Sequence, residues 1–393
     1  MVIGPKYHLD SAFKHFWQKG NGREMIEMSG AEVSLEGFEK FAHLYHEVDT
    51  LGDSAAREIF FSERIHEAFH LIETTARNGV QPHDNLPEHF KKVLLQMQER
   101  PAWLDEYLLN KGSELCRRSG LSGLIVLRDF TLMGGYNFAY LNKPLIFTEA
   151  LKKGAVKRLT YTLDFWVNVT RADALQIHAK GYQLCARTRL IHSYSRLMII
   201  EKMKSWDTEN WGMPINAWDM IATYIGFSLT FILGLRKLKL TISDEEEAGL
   251  FHMWKYIGYL IGIPVEHIPN NAKQATEMFY LWSSIQPRAD NDSVMLAEAL
   301  LNENIESTIY KNMSFRRKLR YWHICCNWFL LDKETNERLQ IPRVKMRKLF
   351  PQLVITRNKF TQMFKSRKKQ IDAGNAAQMR VLDDYLKNDP SNH

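Results

Sequence analysis

Two short stretches of this chain carry residues whose types and spacing could do chemistry. In Arg187-Thr188-Arg189-Leu190-Ile191-His192-Ser193-Tyr194-Ser195-Arg196, Arg189 precedes His192 by three positions and Arg196 follows it by four, which puts all three on one helical face. The small Thr188 and Ser195 flank the imidazole on that face, while Leu190, Ile191, Leu197 and Met198 line the other side. A helix that offers a neutral imidazole to a porphyrin-held iron needs this pattern, because short neighbours let a flat macrocycle approach. Nearby arginines can then hold the two anionic carboxylates of the macrocycle. The same spacing also describes a helix whose arginines and histidine face water or pair with acids. In the second stretch, Arg158, Tyr161 and Thr162 share a face at i, i+3 and i+4.

A third pattern, His66-Glu67-Ala68-Phe69-His70, reads as HExxH: two imidazoles one turn apart with a carboxylate between them, as a zinc hydrolase uses. On a helical wheel Phe61, Ile65, Phe69 and Ile72 form an apolar stripe, and Glu63, His66, Glu67 and His70 lie off it, as a solvated face would. No third ligand follows at the usual spacing. Glu63/His66 and Glu67/His70 are also ExxH pairs, but no second ExxH helix completes a di-iron bundle.

The elements that must position these residues are helical throughout. Apolar residues recur with helical period, and alternating strand patterns are scarce. A helix is expected over 55–78, capped by Asp53 or Ser54 and stopped by Gly79. Another follows Leu86-Pro87, and one opens after Arg100-Pro101-Ala102-Trp103. Others are expected near 147–166, 172–204, 217–237 and 243–263, the last started by Ser243-Asp244-Glu245-Glu246. The apolar run Ile221–Leu235 is shorter than the roughly 20 residues of a membrane span and is expected to be a buried core helix.

With 393 residues, 45% hydrophobic and 12% aromatic, the chain can fill a large core, which excludes a disordered class. No Gly-, Ser- or Pro-rich linker divides it. The expectation is a single large all-α domain: a helical extension over 1–50, the main domain over 51–300, and a basic helical portion over 301–393 packed on it. The four cysteines, Cys116, Cys185, Cys325 and Cys326, show no disulfide or zinc-knuckle spacing and suit reduced thiols. Met1–Gly20 carries charges and aromatics rather than an apolar leader, so a cytoplasmic location is expected.

The net charge of +7 is concentrated: residues 311–372 hold 17 Lys/Arg against 4 Asp/Glu. Such a segment can be a solvated face or can meet nucleic acid or anionic lipid. Arg316-Arg317-Lys318, Arg347-Lys348 and Arg367-Lys368-Lys369 would serve nucleic acid, yet no RNP, KH or zinc-finger pattern accompanies them, and no nucleic-acid partner is expected. A peripheral contact with a membrane surface stays open.

The ordered set of segments resembles the family of bacterial latex-clearing proteins (rubber oxygenases) and fungal MpaB-type oxygenases. Arg158-xx-Tyr161-Thr162 followed by Arg189-xx-His192-xxx-Arg196 carries the resemblance. Gly52-Asp53, Pro101–Asp105, Gly134-Gly135-Tyr136, Lys143-Pro144 and His252–Ile263 extend it over roughly 51–263. The resemblance implies a globin-like helical core, haem b, and O₂-dependent oxidation or cleavage of an apolar, often isoprenoid, small-molecule substrate. It implies that His192 is the proximal iron ligand and that Arg189 and Arg196 bind the cofactor. Arg158, Tyr161 and Thr162 are then the catalytic candidates on the distal side. Rubber oxygenases carry lysine before that threonine; Tyr161 can donate a hydrogen bond but brings no ammonium charge. Glu149 is the nearest candidate for the family's distal acid. A non-catalytic haem sensor or carrier, and a zinc hydrolase through His66 and His70, are the alternatives.

Overall fold

The computed structural model of the protein describes residues 5–62, 64–147, 154–203 and 205–387. Among them there is no strand, only an isolated bridge between Phe138 and Arg288. Two short helices open the chain, α1 (Ser11–Gln18) and α2 (Asn21–Ser29). They are followed by α3 (Thr50–Phe60), α4 (Ile65–Asn78), α5 (Glu88–Gln98) and α6 (Glu106–Val126). Next come α7 (Ala139–Phe147), α8 (Ala155–Val169) and α9 (Lys180–Lys202). α10 (Ala217–Lys237) and α11 (Asp244–Leu260) complete the middle of the chain. The last long helices are α12 (Ala272–Ser283), α13 (Asn291–Glu306), α14 (Met313–Leu330), α15 (Leu349–Phe364) and α16 (Arg367–Lys387).

α6 is the axis of the core. It packs along α11 on one side and along the C-terminal α16 on the other. Its Arg118 reaches Glu246 of α11 in a buried two-pronged pair, with both N–O distances 3.0 Å. On α16, Gln378 donates to the Cys116 carbonyl at 2.9 Å. α10 fits its expected bounds and lies in the core: of its most apolar 18-residue window, 78% is buried against other helices. Asn216 caps α10 through the Asp219 amide, and Ser243 with Glu246 forms the expected capping box of α11.

The expected helix over 55–78 is two helices. The chain breaks after Phe60, which leaves Phe61 and Ile65 at the surface, 40% and 49% exposed, instead of on a buried stripe. The first begins earlier, at Thr50, because Asp49 caps it by accepting from the Gly52 amide. Likewise α9 starts at Lys180 rather than 172, after a turn in which Asp173 and His178 take positive φ. Part of the helix expected near 147–166, with Glu149 in it, lies outside the described residues, as does Glu63.

Candidate functional site

α9 carries His192 and is the hub of the site. It packs against α3 and α4 on one side and against α8, which carries Arg158, Tyr161 and Thr162, on another. The two stretches singled out by spacing therefore lie on neighbouring helices. α9 has no single apolar face: it buries Tyr182, Leu184, Leu190 and Leu197, yet also Arg189, Ser193 and Arg196.

Those two arginines find acids within the chain. Arg189 makes a two-pronged pair with Asp49, Nε to Oδ2 at 2.6 Å and Nη2 to Oδ1 at 3.0 Å, and donates to Gln96 Oε1 at 2.9 Å. Arg196 donates from Nε and Nη2 to Asp53 at 2.8–3.0 Å, and from Nη1 to the Ile215 carbonyl at 2.6 Å. Both arginine side chains are 3% exposed. Asp49 and Asp53, one turn apart at the start of α3, thus clamp α9 at points two turns apart. A guanidinium so engaged fixes the helix that carries His192. Gly52 makes the clamp sterically feasible, since a Cβ there would stand 2.6 Å from Ser193 Oγ and 2.2 Å from Asp49 Oδ2.

Between the two ion pairs sits the imidazole. His192 Nδ1 is enclosed and has no hydrogen-bond partner, although part of the residue reaches the surface. Burial, with the positive charge of Arg196 adding to it, pushes its pKa down to about 4. The ring is therefore neutral at ordinary pH and offers a lone pair, the state a metal-ligating histidine requires. A buried polar atom left unpaired costs about 1–3 kcal/mol, and a ligand on this ring would give the arrangement a physical reason.

On α8, Arg158 donates to the Tyr136 hydroxyl and lies 5.3 Å from that ring's centre. Tyr136 is buried, which raises its pKa and keeps it a neutral phenol. These two residues, with Leu132, Ala155, Leu159 and Leu300, line a narrow, largely apolar crevice of about 10 Å³, room for little more than one water molecule. Thr162 Oγ1 donates back to the Arg158 carbonyl at 3.1 Å. Tyr161 points elsewhere: it is 48% exposed, with Lys157 Nζ 5.8 Å from its ring. Arg158 thus turns to Tyr136, the Thr162 hydroxyl is taken up by its own helix backbone, and Tyr161 faces solvent. Tyr224, Phe227 and Phe231 are core residues, Phe227 stacking on Trp254 at 4.5 Å. His252 Nε2 accepts from the Asp105 amide at 2.9 Å and so holds the loop before α6.

His66 and His70 are exposed at the start of α4, and no third ligand joins them among the described residues. The group of three ligand side chains that those residues do bring within 4.8 Å of one another is His43, Glu47 and His267, elsewhere in the fold.

Spacing alone did not reveal Asp49, Gln96 or the Tyr136–Arg158 contact. Asp49 and Asp53, at i and i+4 on a helix start, were the available sign of a partner for two arginines on another helix.

Comparison with known proteins shows the class to which this all-helical fold belongs. A solved structure described as "Structure of Latex Clearing Protein LCP in the closed state" matches with a TM-score of 0.68 and 14% identity, covering 86% of this chain and 91% of that one. At that identity the likeness is one of fold. Residues 126–357, more than half of the chain, match the family described as "ER-bound oxygenase mpaB/B'/Rubber oxygenase, catalytic domain". The chain belongs to this family of oxygenases. The match contains Arg158–Thr162, His192 and His252–Ile263, and runs on past the basic segment's start, while Gly52-Asp53 and Pro101–Asp105 fall before it. No curated protein matches the chain in sequence.

Proposed function

We propose that the protein is a haem b-dependent oxygenase that oxidises or cleaves an apolar, unsaturated small molecule, of isoprenoid or other lipid type, with O₂. The observation that carries this reading is the neutral, enclosed imidazole of His192 with its unpaired Nδ1, on a helix fixed on either side by a buried ion pair. His192 would hold the iron; once bound, haem would supply the redox-active metal that O₂ chemistry requires. Depressed basicity keeps the imidazole from being lost to protonation in mildly acidic solution. Asp49 and Asp53 neutralise Arg189 and Arg196, so the ring sits between compensated charges rather than beside a bare cation. On the neighbouring helix, Arg158 is aimed by its bond to Tyr136 and presents fixed positive charge beside an apolar crevice that substrate would have to widen. Such a preorganised donor would stabilise negative charge developing on a substrate oxygen while the leucines around it exclude water. Thr162 stays bonded to its own helix and Tyr161 lies at the surface, so of the three candidates Arg158 would carry the catalytic role. A cytoplasmic location remains part of this proposal.

The test is oxygen uptake by haem-loaded protein given an unsaturated isoprenoid. Consumption that depends on both haem and substrate, and that falls at least tenfold in Arg158→Ala, is expected. Haem binding with no substrate-dependent uptake across unsaturated lipids would favour a sensor or carrier instead.

A further inference from the structure

α15 is apolar on two opposite faces. Its inner face, with Val354, Ile355 and Asn358, is buried, and Asn358 pins it by donating to the Leu238 carbonyl at 2.9 Å and accepting from Ser122 Oγ at 3.0 Å. Its outer face carries Leu349, Leu353, Phe360 and Phe364 at i, i+4, i+11 and i+15, which keeps them within one narrow sector of the helical wheel, with Met363 beside it. These five side chains are 42–78% exposed. Phe360 and Phe364 pack on each other, ring centres 4.4 Å apart. Arg357 and Lys359 project on the two flanks of this ridge and are exposed.

Beside the ridge lies a concavity of about 450 Å³ lined by Arg236, Lys239, Leu240, Thr241, Lys359 and Gln362. Arg236 is paired with Glu247, but neither Lys239 nor Lys359 has a carboxylate partner among the described residues. Gln362 braces the floor, donating to the Lys239 carbonyl at 2.9 Å and accepting from the Thr241 amide at 2.8 Å. An apolar ridge with cations along both flanks is the make-up of a helix that lies in a membrane interface, where side chains enter the acyl boundary and lysines meet anionic headgroups. A 16-residue helix is about 24 Å long and, pinned along one side, lies flat. A second copy of the chain is a poor occupant, because the like-charged flanks of the two ridges would face each other. Nucleic acid would satisfy the cations and leave the phenylalanines in water.

We propose that this face docks on a bilayer containing anionic phospholipid, with Phe360, Met363 and Phe364 entering the acyl boundary and the Lys239–Lys359 concavity taking a phosphate headgroup. The docking is independent of haem. It would bring the protein to the phase in which an apolar substrate dissolves.

The test is flotation of the full chain with vesicles of phosphatidylcholine alone or with about one-third phosphatidylserine. The chain should float with the anionic vesicles and much less with the neutral ones, and added salt should weaken the binding. Phe360→Ser/Phe364→Ser and, separately, Lys239→Glu/Lys359→Glu should each lower partitioning at least tenfold with an unchanged melting temperature. Failure of the chain to float with anionic vesicles would overturn the proposal, as would equal flotation with neutral ones. So would a Phe360→Ser/Phe364→Ser variant that binds as the parent does. A lipid-free dimer in light scattering, dissolved by the same double variant, would assign the ridge to self-association.

Discussion

α9 and α10 are both long core helices, and they are held by different physics. α10 is almost wholly apolar and is fixed by non-directional burial. α9 takes two guanidiniums and an imidazole into the interior, and each guanidinium is met by a carboxylate from α3. Apolar packing tolerates small shifts in side-chain position, whereas two-pronged ion pairs fix register and rotation. The lesson is that a helix with no apolar face, buried all the same, must have specific polar partners, and that such a helix can present one side chain to a ligand with little freedom. α10 shows the exception that sharpens this. Its single buried acid, Asp219, accepts from Trp282 Nε1 at 2.9 Å and from Asn216 Nδ2 at 2.8 Å but meets no cation among the described residues, and burial raises its pKa to about 7.

The largest effect should come from breaking the compensated charges. Asp49→Asn leaves Arg189 buried without its counter-charge and should cost about 3–5 kcal/mol in denaturant unfolding. A loss under about 1 kcal/mol would mean that α9 is held by packing, as α10 is. A second effect, on the order of 4 kcal/mol across the titration range, separates the uncompensated acid from the paired ones. With a folded-state pKa of about 7, above that of the unfolded chain, Asp219 binds its proton more tightly when folded. Its contribution is complete below about pH 4 and is lost as pH rises through 7. Asp219→Asn should remove that downward slope, so that the variant gains on the parent between pH 4 and 8. Parallel stability–pH curves for the two would show that the carboxyl titrates normally.

Much of this architecture is legible in the sequence, and the reasons are local. α10 could be bounded because its apolar run is unbroken, and α11 because Ser243 and Glu246 form a capping box in adjacent residues. In sequence the stretch 55–78 reads as one helix because Phe61 and Ile65 continue the apolar period across the break. Asp53 or Ser54 reads as its cap because nothing local shows that Asp53 belongs to Arg196. His192 and its two arginines stand out by spacing alone, but their partners are some 140 residues away, a separation that periodicity does not encode. Tyr161 shares a helical face with Arg158 in a wheel projection. That projection does not show that the arginine turns inward to Tyr136 while the phenol stays in water. The ridge on α15 was hidden for a related reason: the sequence shows a basic, partly apolar segment, and only packing reveals which of its two apolar faces is covered.

The central claim is that His192 holds a haem iron, and the absorption spectrum of haem-reconstituted protein tests it most directly. A Soret band that shifts on reduction and with CO, and that is lost together with most of the bound haem in His192→Ala while the variant stays folded, is the result this account predicts. A folded protein that takes up no haem when supplied with it, or a His192→Ala variant with the spectrum of the parent, would contradict it.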